Sequence, residues 1–168
     1  MSKEKRSTAK FMRRLASILA ILILSAAMHG KDQKTLDQLR AEAEKATGGH
    51  QAMLYAELAE RLVDQADQQF NQGESVKGQA TVQEILNMAT KARDIGVSSR
   101  RKLKETEIHL RQTQRHLENV RRTLSAEDRP EVEAVEKKLS DYRQDLLNAM
   151  FSPRKDKDKD NKENEEKK

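Results

Sequence analysis

Apolar residues recur at alternating steps of three and four between residues 103 and 124, and this spacing constrains the fold more than any other feature of the chain. It places one apolar edge along a helix of about six turns, as in helices that pack along their whole length. The seam comprises Leu103, Thr106, Leu110, Thr113, Leu117, Val120 and Leu124. In a helix each threonine hydroxyl can donate to the carbonyl four residues back, which lowers its cost of burial. The alternative is a weakened seam that opens for a partner.

A second seam follows after a short turn. The turn, residues 125 to 130, holds the capping candidates Ser125 and Asp128, and Pro130 suits a first helical position. The apolar positions after the turn are Val132, Val135, Leu139, Tyr142, Leu146 and Ala149. Two seams joined by a short turn predict an antiparallel, coiled-coil-like hairpin.

Three further helices are predicted upstream, and glycines mark their ends. A short first helix is expected to end at Gly48-Gly49, a second to run from 50 to 72, and a third from 74 to 95, where Gly96 follows. Gly78 is expected to weaken the start of the third helix by ~1 kcal/mol relative to alanine. Their apolar positions at helical spacing are Leu36, Leu39, Ala43, Ala46, Tyr55, Leu58, Ala59, Leu62, Val63, Ala66, Phe70, Val82, Ile85, Ala89 and Ala92.

The whole pattern predicts an all-α fold. No stretch alternates polar and apolar residues over the length of a strand, and the chain has two prolines. We therefore expect an antiparallel bundle of about four long helices with a short N-terminal helix, occupying residues 28–151. About 120 residues suffice for one domain that buries roughly two-thirds of the surface of its unfolded chain.

The N-terminus has the pattern of an export signal. Residues 1–14 carry six Lys/Arg and one acidic residue, and an apolar run from Leu15 to Met28 follows. As a helix this run spans about 21 Å, which is short of the ~30 Å hydrocarbon core of a bilayer. Ser25 and Ala27 are the small residues that a signal peptidase needs, so cleavage is predicted after Ala27. The alternative is a retained membrane anchor, and both interpretations place the rest of the chain outside the cytoplasm, in the periplasm or the extracellular space.

The composition of the exported part limits how it can be stabilised. The sequence contains no cysteine, which excludes disulfides, thiol catalysis, cysteine-ligated zinc and a lipid anchor on cysteine. Removal of residues 1–27 leaves 27 basic and 27 acidic residues, so the mature chain is formally neutral. Residues 152–168 are highly charged and contain no apolar side chain except a proline, and they are predicted to be a disordered tail.

Positive charge is concentrated on the fourth helix. Residues 98–124 have a net charge of +5, between residues 32–72 at −4 and residues 125–151 at −3. One interpretation is that these cations face carboxylates of adjoining helices and select which helices pair. They are Arg100, Arg101, Lys102, Lys104, Arg111, Arg115, Arg121 and Arg122. The other interpretation is that Arg100, Arg101, Arg121 and Arg122, near the two ends of the helix, contact an anionic partner such as lipid phosphate, envelope polymer or acidic protein.

Other chemistry finds little support in the sequence. His109 and His116 lie about 10.5 Å apart along one helix, too far to bind one metal together. Glu105 and His109 could supply two ligands, but a solvated ion pair is the expected relation. Nucleic acid is disfavoured because the mature chain has four aromatic residues and no stacking platform. Without a phosphate-binding loop, a nucleophile elbow or a paired-carboxylate site, we expect no enzyme, no cofactor, no metal and no small-molecule substrate.

Residues 124–139, LSAEDRPEVEAVEKKL, resemble the LTxxQ segments of small periplasmic helical chaperones and stress sensors of the Spy/CpxP type. Ser125 stands in place of the threonine and Asp128 in place of the glutamine. The resemblance covers about 16 residues and implies an exported, all-α protein that holds unfolded clients.

The functional expectation is an exported structural or protein-interaction module without catalytic activity. Such a module would bind a protein or self-associate through an apolar helix face left exposed by the bundle. Two alternatives remain from the residues and the resemblance. One is holding of unfolded clients, and the other is weak binding of anionic lipid or polymer at a membrane surface.

Overall fold

The computed structural model describes residues 34–153, and the predicted signal segment and most of the predicted tail lie outside them. The chain divides into two units at Lys34/Thr35, and the second unit contains every helix described. The helices are α1 Leu36–Lys45, α2 Gly48–Asn71, α3 Ser75–Ser99, α4 Leu103–Thr123 and α5 Arg129–Phe151. Residues 34–153 contain no β-strand. The prediction of an all-α bundle with four long helices and a short first one is confirmed.

The four long helices pack in a square around one core. Helix α2 contacts α3 and α4, and α5 also contacts α3 and α4, whereas α2 and α5 lie diagonally without close backbone approach. The connection from α3 to α4 therefore crosses the other diagonal. Helix α1 packs on the outside of α2. Consecutive helices run antiparallel, which leaves two side-by-side pairs that run parallel.

The parallel pairs are visible in the order of their contacts. Glu60 of α2 lies against His109 of α4, and further along both helices Asp67 lines a groove with Thr123. In the same way, α3 and α5 meet early at Gln83 and Glu131 and later at Arg93 and Asp145. The bundle is thus two sequential hairpins, α2–α3 and α4–α5, docked side by side.

Both seams of the second hairpin face the core. Leu110 and Leu117 of α4 have no exposed surface, and the same holds for Val132, Leu139 and Leu146 of α5. Leu103, Val120, Leu124 and Val135 are also buried, whereas Tyr142 is half-buried. The Tyr142 hydroxyl accepts a hydrogen bond from Thr90 of α3 at 3.1 Å. The hairpin therefore covers the first hairpin with a continuous apolar surface, which is the main source of stability in a helical bundle.

Three helix boundaries predicted from glycines were wrong. Helix α1 ends at Lys45, and Gly48 and Gly49 open α2 instead of closing α1. Helix α3 continues through Gly96 to Ser99. A Cβ atom on Gly96 would lie 3.0 Å from Leu146 Cδ2, so this glycine provides close packing between α3 and α5 within a continuous helix.

The start of α3 differs from the frayed turn that Gly78 suggested. Gly78 is buried within the helix, and a Cβ atom there would lie 2.7 Å from the ring of Phe70. The Phe70 ring of α2 packs where a side chain would otherwise stand. Gly78 thus lets α2 and α3 approach closely near the turn that joins them. Helix propensity alone does not include this packing effect.

Asp128 joins the two turns at one end of the bundle. It precedes α5, yet its side chain caps no helical N–H of α5. Its carboxylate instead accepts hydrogen bonds from Ser75 at 3.1 Å, Gln79 at 2.8 Å and Ser125 at 2.9 Å. The predicted cap is therefore a link between the α4–α5 turn and the start of α3. Pro130 lies in the first turn of α5, as its second residue and one position after the predicted first one.

Within residues 34–153, no helix combines the length and the apolar character needed to span a bilayer.

Candidate interaction surface

The inner face of helix α4 packs against the other helices of the bundle. Thr106 and Thr113 lie on it with no exposed surface. Each hydroxyl donates to the carbonyl four residues earlier, at 2.8 Å in both cases, to Lys102 and to His109. The predicted local hydrogen bonds are confirmed, so the two buried hydroxyls are satisfied and fit an ordinary core seam.

The outer face of α4 carries a row of cations. Lys104, Arg111, Arg115 and Arg122 follow one another at steps of seven, four and seven. At about 100° per residue, all four lie within roughly 20° of one line along the helix, on the side opposite Thr113. The row is about 27 Å long at a rise of 1.5 Å per residue. We call these four residues the basic row.

The basic row is accessible to solvent. Lys104 and Arg115 are exposed and form no ion pair with any residue of 34–153. The Arg122 side chain, 67% exposed, pairs with Glu118 one turn before it at 2.6 Å. The Arg111 guanidinium lies 3.9 Å from Glu107. No carboxylate of a neighbouring helix pairs with the row in the part of the chain that the structure describes.

The two sides of the basic row differ. Towards α2 lies a shallow groove of about 320 Å³ that Asp64, Asp67 and His116 line. Towards α5, the buried Glu107 accepts from Arg143 at 3.0 Å, which fixes α4 against α5. The row is therefore the crest of a ridge, with negative charge beside it on the α2 flank.

Arg100, one of the four predicted contact residues, forms hydrogen bonds within the bundle. Its guanidinium donates to the carbonyl oxygens of Ala149, at 2.6 Å, and of Ser152 at the end of α5. A cation at this position complements the negative end of the helix dipole. Arg100 and Lys102 have φ angles of 50° and 57°, a left-handed conformation that costs non-glycine residues about 1–2 kcal/mol. The bonds to α5 offset part of that cost.

Arg121 is also internal, and its neighbour Arg122 is not. The Arg121 Nε donates to Glu136 of α5 at 3.0 Å. Arg101 is exposed, and its backbone contacts the start of α2. The four predicted contact residues therefore do not act as a set: Arg100 and Arg121 hold the bundle together, while Arg101 and Arg122 face solvent.

The prediction that the cations of α4 face carboxylates of adjoining helices holds for Arg121 alone. Lys102, Arg111 and Arg122 pair with acids of their own helix. Arg101, Lys104 and Arg115 form no ion pair within the described residues. The reason is geometric: the inner and lateral faces of α4 are taken up by the seam and its borders, so the cations outside them point away from every neighbour.

Burial opposes the ionisation of Glu136 in its pair with Arg121. Desolvation raises the pKa of the Glu136 carboxyl and outweighs its hydrogen bond with Arg121. The hydrogen bond to Glu136 raises the pKa of the Arg121 guanidinium. Glu136 is the more buried partner, with 12% of its side chain exposed against 32% for Arg121, so the carboxylate loses more hydration.

We expect the Glu136 carboxyl to titrate above the ordinary glutamate range. The folded state then binds this proton at a higher pH than the unfolded state does. Ionised Glu136 therefore disfavours folding at neutral pH, and this cost is removed as pH falls through the raised pKa. Glu105 is the internal control, because its hydrogen bond with Lys102 lowers its pKa. Carboxyl-carbon NMR titration measures both, and a Glu136 midpoint at or below that of Glu105 would contradict the assignment.

His109 has a different partner from the one the sequence suggested. Its Nδ1 lies 2.7 Å from Glu60 of α2, whereas Glu105 pairs with Lys102 at 2.9 Å. The contact joins the parallel helices α2 and α4. Within residues 34–153, no group of three His, Asp or Glu side chains is arranged to hold a metal ion.

Few large apolar side chains are strongly exposed on the described bundle. Among residues 34–153, the strongly exposed large hydrophobic side chains are Val76, at the start of α3, and Phe151, at the end of α5. Because α3 and α5 run parallel, these two residues lie at opposite ends of the bundle. They do not form one patch of the size that marks apolar protein-binding sites.

Sequence inspection missed the basic row, although its signal is present. Lys104, Arg111, Arg115 and Arg122 recur at steps of seven and four, which also return to one side of an α-helix, opposite the apolar seam. Comparisons with known protein families, with curated proteins and with solved structures find no match to this chain. The geometry of the bundle is therefore the basis for a functional proposal.

Proposed function

We propose that this chain is an exported, non-catalytic interaction module of the cell envelope and that it meets a negatively charged partner through the basic row of α4. The N-terminal sequence pattern supports export. The observation that carries the proposal is the row itself: Lys104 and Arg115 are exposed cations without an ion pair among the described residues. Long basic side chains that form no ion pair among the described residues are available to bind an anionic partner.

Contact through charge fits the surface better than contact through an apolar face. The exposed large hydrophobics are two residues at opposite ends, Val76 and Phe151. Client-holding chaperones need apolar surface that can receive unfolded segments, and the two strongly exposed large hydrophobics of residues 34–153 lie too far apart to form one such area. Charge complementarity instead gives fast, reversible and salt-sensitive association, which suits an interaction module.

Site-specific photo-crosslinking in intact cells tests this proposal. A photoreactive residue is placed at Glu118, within one turn of Arg115 and Arg122, and at Ser140 on the exposed side of α5 as the matched control. We expect adducts from position 118, few from position 140, and recovery of both proteins in the exported fraction. Neutralising Lys104 and Arg115 should remove the adducts at 118.

Three outcomes would count against the proposal. Adducts of equal yield from both positions would show that the row has no special role. An absence of both protein and lipid adducts from both positions, in cells that contain the folded protein, would show that the row has no partner. Recovery of the chain from the cytoplasm alone would overturn export.

A further inference from the structure

We propose that the partner of the basic row is a membrane surface that carries anionic lipid headgroups, an inference that rests on the proposed function. The row lies on the crest of the bundle, on the side of α4 opposite its buried face. Its four cations lie within roughly 20° of one line over about 27 Å. A flat surface laid on this crest touches all four side chains at once. Shape therefore favours a plane over a partner that must be enclosed.

The flanks of the row argue against a polyanion that wraps around the helix. On the α2 side, Asp64 and Asp67 line the adjoining groove, and Glu60 lies further along the same side of α2. A linear polyanion that followed the groove would meet these carboxylates. A planar surface contacts the crest and leaves the groove in water, where salt screens the repulsion beyond about 8 Å.

The spacing of the cations also suits lipid. Along the axis the steps are about 10.5, 6 and 10.5 Å. A polymer with a fixed charge spacing cannot match such unequal steps, whereas lipids diffuse sideways until their headgroups meet each cation. Ile108, which is half-buried, lies beside the line between Lys104 and Arg111 and gives this face one apolar contact. The long stems of lysine and arginine can lie along an interface of this kind.

The expected binding is weak and depends on salt. Each Lys or Arg near an anionic bilayer strengthens binding by about fivefold at low salt. Arg122 shares its charge with Glu118, and Arg111 lies near Glu107, so Lys104 and Arg115 contribute the most. Removal of these two charges is therefore expected to weaken binding by about 30-fold.

The test uses the full chain, labelled at one position. The sequence has no cysteine, so a single introduced cysteine takes an environment-sensitive fluorophore at one place. Asn119→Cys places the dye on the exposed upper edge of the α2-side groove, beside the crest and within one turn of Arg115 and Arg122. Ser140→Cys places it on α5 as a control. Vesicles contain either phosphatidylglycerol with phosphatidylcholine or phosphatidylcholine alone. The dye reports where the bundle touches the lipid even if residues 1–28 also bind it.

We expect the fluorescence of the dye at position 119 to change with anionic vesicles and not with neutral ones. The change should disappear in 0.5 M salt, a concentration at which charges are screened within about 4 Å. The dye at position 140 should not respond. K104Q/R115Q should raise the anionic lipid needed for a half-maximal response by about 30-fold. The matched variant K137Q/K138Q removes two exposed charges from α5 and should change it by less than about threefold.

Several results would overturn the inference. One is that the dye at position 119 does not respond although co-sedimentation shows bound protein, and another is that the dye at position 140 responds equally. The inference also fails if the response at position 119 persists in 0.5 M salt, or if K104Q/R115Q needs no more anionic lipid than the original chain. Loss of helical circular dichroism in K104Q/R115Q would move the test to R115Q alone, with an expected loss of about fivefold. Protein adducts at position 118 in cells without a vesicle response would refute the lipid surface and leave the interaction module intact.

Discussion

Leu117→Asp is expected to abolish cooperative folding of the bundle. Leu117 lies in the middle of α4 with no exposed surface. Truncation of a buried leucine costs about 2–5 kcal/mol, and the aspartate adds the cost of an unpaired buried charge. The sum approaches the whole stability of a domain of this size, about 5–15 kcal/mol. Circular dichroism at 222 nm during heating should show no sigmoidal transition.

Arg115→Asp is the matched control, because it introduces the same residue two positions away on the outer face. Arg115 forms no ion pair among the described residues, so the substitution should change stability by at most about 0.5 kcal/mol. The melting temperature should then stay within a few degrees of that of the original chain. A Leu117→Asp variant that melts as the Arg115→Asp variant does would refute the assignment of the inner and outer faces of α4.

Gly49→Ala is expected to be the second most damaging change, although it adds a single methyl group. An alanine Cβ at this position would lie 2.5 Å from the carbonyl oxygen and the Cβ of Arg101, and 2.6 Å from its carbonyl carbon. The obstacle is backbone, which cannot rotate aside as a side chain can. Overpacking of this kind costs about 1–3 kcal/mol, and the upper end applies because the facing loop is fixed by Arg100. The drop in melting temperature should approach 10 °C.

Gly73→Ala separates steric overlap from backbone strain. Gly73 has a φ angle of 76°, and no atom lies within 4 Å of where its Cβ would stand. It should cost about 1 kcal/mol, from the left-handed conformation alone. Adding Arg101→Gly to Gly49→Ala should restore part of the stability, since the carbonyl overlap remains. A Gly49→Ala variant that melts above the Gly73→Ala variant would show that the loop yields easily.

Periodicity in the sequence predicted which residues form helices and most of the positions that are buried. The seam from Leu103 to Leu124 becomes the inner face of α4 because its repeat matches the turn of an α-helix, a property that is local to the chain. The hairpin of α4 and α5 follows from two seams and a turn that contains Pro130. These features depend on neighbours in sequence, so the sequence alone was sufficient.

The glycines show where local reasoning fails. Gly96 was expected to end α3, yet it lies in the helix because Leu146 of α5 needs the space. Gly49 opens α2 and accommodates a loop from residues fifty positions later. A glycine that stops a helix and a glycine that admits a neighbour look alike until the neighbour is known.

Charges were harder to place than apolar residues. The pairing of His109 with Glu60 and the capping of α5 by Arg100 both join segments about fifty residues apart. The first depends on α2 lying parallel to α4, and the second depends on α3 lying parallel to α5. Both arrangements follow from the diagonal connection and from no local pattern. The basic row could have been found, since only the helical projection of α4 is needed to see it.

Because the link from α3 to α4 crosses the bundle diagonally, the two hairpins can fold as separate units before they pack together. Each hairpin joins partners that are close in sequence, so either one can assemble quickly, with little loop entropy to overcome. The parallel pairs, α2 with α4 and α3 with α5, come together only when the two hairpins meet. The two hairpins are joined by three residues, Arg100 to Lys102. From this link, the Arg100 side chain donates a hydrogen bond to the C-terminal end of α5. This three-residue link thus holds the two hairpins together at one end of the bundle.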